Sequence, residues 1–172
     1  MMPPGQKRLI LTRHAKSSWD DPATADFDRP LNTRGRIAAL ELGEWLDSRG
    51  YEPDEVLCSA ARRTRETWAH VMAAPLQIMP TIRFMQELYM AGPEQMLAAL
   101  RSATGDSVML IGHNPGIAEL AGLLPATPPA HPDFRRYPTA ATLVVDFLID
   151  DWNDVAPGAG AARDFFVPAN RG

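Results

Sequence analysis

The chain has 172 residues, a formal net charge of −4 and a hydrophobic fraction of 45%. This length predicts one domain, residues 1–172, that buries a core without needing a metal ion or a disulfide. The negative charge argues against a nucleic-acid partner, and Cys58, the single cysteine, cannot form an internal bridge. Because no apolar run approaches membrane-spanning length and residues 1–6 lack a secretory signal, we expect no membrane partner and a cytoplasmic location.

The first half of the chain alternates predicted strands and helices. Apolar spacing and turn residues divide it, in chain order, into a strand over 9–11, a polar loop over 16–31, a helix between 33 and 50, a strand over 56–59 and a helix over 64–72. Thr33 is the predicted N-cap of the first helix, and Gly50 is expected to end it because glycine tolerates the left-handed conformation. Pro75 is expected to end the second helix.

The second half continues this alternation, which is typical of an α/β fold. Its segments are a short apolar stretch over 76–84, a helix from 93 to 100, a strand over 108–111, a helix over 117–124, and strands over 142–149 and 164–167. Pro115 is placed at the first position of the fourth helix. The proline-rich loop 125–138 fits a rim, a lid or a connector equally well.

Arg13 and His14 carry the strongest functional signal because they follow an apolar strand, where a parallel α/β sheet forms its ligand crevice. A neutral imidazole can attack phosphorus while a guanidinium holds the phosphoryl oxygens. We therefore expect His14 to be the nucleophile of a phosphoryl transfer, with Arg13 and Arg63 clamping the phosphate. His113 follows the strand over 108–111. It is expected to donate hydrogen bonds to the negative charge that grows in the transition state. One ring nitrogen of His14 must be held by a partner that the sequence does not identify.

These residues resemble the signature of the histidine phosphatase superfamily, whose fold is shared with cofactor-dependent phosphoglycerate mutases. The matches are Arg13-His14-Ala15 for Arg-His-Gly, then Ser17, Ser18 and Trp19 in the following loop, residues 31–35 for the Leu-Thr-x-x-Gly helix entry, Ser59 and Arg63 for Ser-x-x-x-Arg, Thr67 after it, and His113 for the second histidine. The resemblance covers most of the chain. It implies a three-layer α/β/α sandwich with a mostly parallel central sheet.

Glu87 is the candidate general acid, because some branches of this family carry an acidic residue between the second arginine and the second histidine. It could protonate a leaving oxygen and later deprotonate water, but an exposed loop glutamate is an equally good interpretation. A leaving imidazole, as in phosphohistidine, would need less help from an acid. Ser17 is a candidate phosphate donor or a loop cap, and Thr139 is a weaker candidate for substrate binding.

The resemblance also narrows the expected activity. Only about 50 residues separate Arg63 from His113, so the chain lacks the large helical cap of phytase-like acid phosphatases, and an open site is implied. The chain looks most like the compact SixA-type group, which removes phosphate from phosphohistidine on signalling proteins. The expected partner is thus a phosphorylated substrate such as a phosphohistidine-carrying signalling protein. The alternatives are a small-metabolite phosphatase or mutase, and a noncatalytic phosphate-binding module.

No metal or other cofactor is expected from the sequence. The four histidines are scattered, no His-x-His or His-Glu-x-x-His pair occurs, and no Gly-x-x-x-x-Gly-Lys-Ser/Thr loop is present for a nucleotide. We therefore expect phosphatase activity that survives a chelator.

Overall fold

The computed structural model describes residues 2–73 and 78–169. Its strands and α-helices are, in chain order, β1 (Lys7–Arg13), α1 (Thr33–Arg49), β2 (Glu55–Ser59), α2 (Arg62–Val71), β3 (Thr81–Met85), α3 (Pro93–Arg101), β4 (Ser107–Gly112), α4 (Gly116–Leu123), β5 (Thr142–Phe147) and β6 (Ala161–Phe166). Short 3-10 helices lie at Asp26–Asp28, Gln86–Leu88 and Trp152–Asp154. The predicted alternation of strands and helices is confirmed.

Two features of α1 show how the sequence sets helix ends. Asn32, and not Thr33 as predicted, is the N-cap, because its side-chain oxygen accepts a hydrogen bond from the Gly35 amide at 2.8 Å. Gly50 ends the helix as predicted, with a φ of 71° in the left-handed region that suits glycine. Pro75, the predicted end of α2, lies outside the described residues.

The last two strands differ in length from the prediction. β5 stops at Phe147 instead of continuing to 149, and β6 begins at Ala161, earlier than the predicted start at 164. The two strands pair antiparallel with a register shift at Val144 and Val145. Small residues at the start of β6 join this pairing, although they carry little hydrophobic signal of their own.

The six strands form one sheet in the order β3-β2-β4-β1-β5-β6. The neighbouring pairs β3 with β2, β2 with β4, and β4 with β1 are parallel, whereas β5 is antiparallel to both β1 and β6. The predicted mostly parallel sheet is therefore confirmed. Arg13 at the end of β1 pairs with Gly112 at the end of β4, so His14 and His113 leave the sheet side by side.

Helices cover both faces of the sheet, and this confirms the three predicted layers. Side chains of α3 and α4 pack with Leu9 and Leu11 on one face, and those of α1 and α2 pack with Ile10 on the other. This alternation follows from the two-residue period of a strand. Within residues 2–73 and 78–169, no helix is both long enough and apolar enough to cross a membrane.

The end of the proline-rich loop 125–138 is anchored in the core. Tyr137 is fully buried, and its hydroxyl donates to the Leu11 carbonyl at 2.5 Å while accepting the Leu143 amide at 2.8 Å. Phe134 is buried in the same cluster. Of the three possibilities for this loop, the anchoring of Tyr137 beside β1 favours a connector for its last residues.

Candidate active site

A cavity of about 370 Å³ opens at the carboxyl ends of β1 and β4, the position expected for a ligand site in a parallel sheet. The residues that line it are Arg13, His14, Lys16, Ser17, Trp19, Asp26, Arg29, Arg63, Met90, His113, Asn114 and Thr139. The cavity therefore brings together four residues that the sequence predicts to act on phosphate, from three distant segments: Arg13, His14, Arg63 and His113. Ser17 and Thr139, the predicted secondary candidates, line the same cavity.

His14 is held in one tautomer by its sequence neighbour. Its Nδ1 lies 2.7 Å from the Ala15 carbonyl oxygen, which can only accept, so Nδ1 carries the proton. The lone pair is then on Nε2, which lies 3.4 Å from Nε of Arg63. Burial holds the pKa of His14 well below 6.5, and the charges of Arg13 and Arg63 act in the same direction. The ring is therefore neutral and presents a nucleophilic nitrogen next to a guanidinium.

Arg63 is clamped in place by Asp26, a residue that the sequence analysis did not identify. Nη1 of Arg63 donates to the Asp26 backbone carbonyl at 2.7 Å, and Nη2 donates to the Asp26 carboxylate at 3.1 Å. The carboxylate also accepts from the Tyr89 hydroxyl at 2.5 Å and from Nε of Arg29 at 3.1 Å. The Tyr89 hydrogen bond, with those from Arg29 and Arg63, lowers the pKa of Asp26 to about 2.

His113 lies beside His14, with a distance of 5.2 Å between the two ring centroids. Its Nε2 lies 2.8 Å from Oγ of Ser59, the last residue of β2. Burial, followed by the charge of Arg63, lowers the pKa of His113 to about 3, so this ring is also neutral. The serine of the Ser-x-x-x-Arg motif thus orients the second histidine.

Two buried nitrogen atoms at the cavity have no hydrogen-bond partner within the described part of the chain. They are Nε of Arg13 and Nδ1 of His113. Buried polar groups are normally paired, and an unpaired one costs about 1 to 3 kcal/mol. Arg13 is otherwise fixed by a hydrogen bond from Nη1 to the Tyr137 carbonyl at 3.2 Å, at the anchored end of the loop.

The loop after His14 is held by side-chain hydrogen bonds. Thr67, in α2, accepts from the Ala15 amide at 3.0 Å and donates to the Arg63 carbonyl at 2.7 Å. Ser17 accepts from Nη1 of Arg29 at 2.5 Å. Thr67 therefore connects the segment after His14 to the helix that carries Arg63, which gives a physical reason for its place in the motif.

Glu87 lies apart from these groups. Its side chain is exposed in the 3-10 helix after β3, and it is not among the residues that line the cavity. Its role as a general acid stays a prediction. Asp26, in contrast, is a carboxylate that does line the cavity.

Sequence reasoning missed Asp26, Arg29, Met90 and Asn114 as members of the site. The first two come from the polar loop over 16–31, which has no hydrophobic periodicity to show where it folds. Their only sequence signal is the charged run Asp26-Phe27-Asp28-Arg29 directly before the recognised helix entry. Asn114 follows His113, and its side chain donates to the Tyr137 carbonyl at 3.0 Å.

The arrangement can bind a small anion and attack it. Three guanidinium groups, those of Arg13, Arg29 and Arg63, and two neutral imidazoles line one cavity. No group of three metal-binding side chains occurs among residues 2–73 and 78–169. A phosphoryl group would meet cations for its oxygens and a neutral nitrogen for its phosphorus.

Comparison with known proteins agrees with this geometry. Residues 9–99 match the family model of the histidine phosphatase superfamily (branch 1). The uncharacterized protein Rv1276c of Mycobacterium tuberculosis (strain ATCC 25618 / H37Rv) is 35% identical over 165 residues, which span 91% of this chain and 99% of that protein.

Two solved structures share the fold over nearly the whole chain. A candidate phosphohistidine phosphatase SixA from Nakamurella multipartitia superposes with a TM-score of 0.81 at 29% identity, covering 98% of this chain and 100% of that one. The protein histidine phosphatase SixA complexed with tungstate superposes with a TM-score of 0.74 at 25% identity, covering 94% and 97%. The chain therefore belongs to branch 1 of the histidine phosphatase superfamily and is a phosphatase of the SixA type.

Proposed function

We propose that this protein, acting as one domain, removes phosphate from phosphohistidine on a signalling protein by way of a phosphohistidine of its own. Nε2 of His14 attacks phosphorus, the bond from phosphorus to the substrate nitrogen breaks, and the leaving imidazole takes up a proton from solvent. Water then attacks the phosphorus on Nε2 and returns one proton to solvent, which releases inorganic phosphate and restores the neutral His14 ring. Atoms and charge balance without a metal or a second substrate other than water.

The observation that carries this proposal is the hydrogen bond from Nδ1 of His14 to the Ala15 carbonyl. A histidine can attack only through a nitrogen that lacks a proton, and this contact leaves Nε2 in that state. Burial keeps the pKa of the ring well below 6.5, so the nucleophilic form dominates at neutral pH.

The neighbouring groups fit the charge that develops during transfer. Arg13 and Arg63 neutralise the equatorial oxygens, and Ser17 donates its hydroxyl proton to the phosphoryl group. The Ser59 hydroxyl accepts from the Ala61 amide at 3.4 Å and lies 2.8 Å from Nε2 of His113, and we assign this hydroxyl as the donor to Nε2. In that arrangement Nδ1 of His113 carries the proton and donates it to a phosphoryl oxygen.

Two features support phosphohistidine as the substrate class. An imidazole is a better leaving group than an alkoxide and needs less protonation, which suits a cavity that Glu87 does not line. A structure of similar fold is a protein histidine phosphatase SixA complexed with tungstate, a tetrahedral oxyanion like phosphate. The second candidate function, hydrolysis of small phosphomonoesters, draws support from the modest cavity volume of about 370 Å³.

A substrate panel tests the proposal. Hydrolysis of a histidine-phosphorylated signalling domain is measured beside sugar and nucleotide phosphates, with p-nitrophenyl phosphate as a general probe. We expect kcat/KM for the phosphoprotein to exceed that of every metabolite by about tenfold or more. Higher kcat/KM for one metabolite would favour the second candidate. The His14→Ala variant should be inactive on every substrate, and chelator should leave wild-type rates unchanged.

A further inference from the structure

Trp19 is an exposed aromatic side chain at a cavity whose polar floor is formed by Arg13, His14 and Arg63. It is 75% exposed and lines the same cavity as His14 and Arg63. A large apolar side chain left in water is informative where it borders a site, because covering it with a ligand gains the hydrophobic free energy. The indole takes no part in the phosphoryl transfer proposed for His14.

The Trp19 side chain packs against Arg29, a residue that is itself held by hydrogen bonds. The Arg29 guanidinium lies over the Trp19 ring, 3.5 Å from its centroid. Arg29 is itself buried and donates hydrogen bonds to Oγ of Ser17, the Ser18 carbonyl and the Asp26 carboxylate. The loop backbone is held as well, since Ser18 donates its amide to the Pro30 carbonyl at 2.8 Å. Little ordering is therefore left for a ligand to impose.

A second apolar side chain borders the cavity. Met90 is 53% exposed, lines the cavity, and places its sulfur 4.0 Å from Nη2 of Arg63. Its backbone φ of 54° lies in the left-handed region, which a methionine rarely adopts. A cationic floor for a phosphoryl group is thus combined with an aromatic and a thioether side chain, both of which favour contact with flat rings.

We propose that Trp19 forms a leaving-group subsite that selects phosphorylated planar rings, the imidazole of phosphohistidine and aryl phosphates, over phosphorylated alkyl groups. The inference rests on the proposed function, because the phosphoryl group must first occupy the floor formed by Arg13, His14 and Arg63. Because Trp19 lines the same cavity as these three residues, we expect a ring bonded directly to that phosphorus, or through one oxygen, to contact the indole. An aliphatic group of similar length gains less, because it has no π-face to stack.

Phosphonates test the subsite without requiring turnover, because their carbon–phosphorus bond is not hydrolysed. Dissociation constants of phenylphosphonate and methylphosphonate are measured by calorimetry on the wild type and on Trp19→Ala, Trp19→Phe and Trp19→Leu. We expect the wild type to bind phenylphosphonate about tenfold more tightly than methylphosphonate, and Trp19→Ala to lose this preference. Trp19→Phe should keep most of it, whereas Trp19→Leu should not.

The affinity for methylphosphonate separates a ring subsite from a structural role. If Trp19 only shields Arg29, its removal weakens both phosphonates equally, and the proposal is wrong. It is also wrong if the wild type shows no ring preference, or if Trp19→Ala retains it. Leu148→Ala is the matched control, because Leu148 is 83% exposed and does not line the cavity. Failure of both phosphonates to bind, together with no turnover of any phosphate, would instead overturn the proposed function on which the subsite rests.

Discussion

Asp26 places a negative charge among the cations of the cavity, and this has two opposed effects on a bound phosphate. Its carboxylate repels the incoming anion, yet the same carboxylate orients Arg63 through Nη2, while its backbone carbonyl holds Nη1. Because its pKa is about 2, with the Tyr89 hydrogen bond as the largest cause, Asp26 stays ionised throughout the neutral range. We therefore expect Asp26 to position Arg63 and to limit the affinity for product.

The substitution Asp26→Asn should separate these effects. We expect inorganic phosphate to inhibit about threefold more strongly, because one repelling charge is gone, and kcat to fall about tenfold, because Arg63 is less firmly oriented. Steady-state kinetics with phosphate as inhibitor provide both values. Asp28→Asn is the matched control, since it changes the same charge in the same 3-10 helix without touching the cavity lining. An unchanged inhibition constant in Asp26→Asn would refute the electrostatic part of this account.

The residues that could be predicted from sequence share one property, which is that they lie at or beside the ends of regular elements. His14 and His113 follow strands that hydrophobic runs reveal, and Arg63 lies in the first turn of a helix. Asp26 and Arg29 come from an irregular loop, whose position is set by tertiary hydrogen bonds and not by local periodicity. The tautomer of His14 could not be predicted from the sequence either, because the partner of Nδ1 is a backbone carbonyl, a group that every residue possesses.

The first turn of α1 packs directly against the loop that follows His14. Gly35 lies where an added Cβ would overlap the Lys16 carbonyl oxygen, and the Asn32 amide donates to that same oxygen at 3.0 Å. The glycine of the helix-entry motif is thus required for close approach of the two backbones. Its effect on the site is indirect, through the segment that follows His14.

We expect Gly35→Ala to destabilise the protein by about 1 to 3 kcal/mol, since neither backbone can move without disturbing the other. Urea unfolding measures the stability, and p-nitrophenyl phosphate hydrolysis should fall in parallel because the His14 segment shifts. Gly122→Ala in α4 is the control, because a Cβ there meets no atom within 4 Å. Equal stability of the two variants would show that the approach at Gly35 is not required.

The strand pairing of β5 with β6 shows why element boundaries were less predictable than element type. The apolar run over 142–149 continues past the point where β5 ends, and Leu148 is 83% exposed. Pairing with a neighbouring strand, and not hydrophobicity alone, decides where a strand stops.

The folded protein as a whole buries two histidines in their neutral form. The pKa of His14 and that of His113 are both lowered by burial, the latter to about 3, whereas in the unfolded chain both take up a proton near pH 6.5. Between those values the unfolded state binds more protons than the folded state. Stability therefore decreases as pH falls through about 6.5, and it is regained as pH rises above that value.

Urea denaturation at a series of pH values should reveal this linkage. From about pH 7 to pH 5 the protonation of His113 in the unfolded chain is expected to cost about 2 kcal/mol of unfolding free energy, and His14 acts in the same direction. His113→Gln should reduce the pH dependence by roughly that amount, whatever its effect on stability at pH 7. The dependence of the free energy on urea concentration serves as the control, because it should stay constant if folding remains two-state. An undiminished slope in His113→Gln would contradict burial of His113 as a neutral ring.

The central claim is that phosphorus passes to Nε2 of His14, and trapping the phosphorylated enzyme tests it most directly. The protein is mixed with a radiolabelled phosphohistidine protein, quenched in alkali within milliseconds and mapped by peptide sequencing. We predict acid-labile, alkali-stable label on His14 of the wild type and none on His14→Ala, which should also lose turnover. Label on another residue, or turnover by His14→Ala at a rate near that of the wild type, would contradict the account.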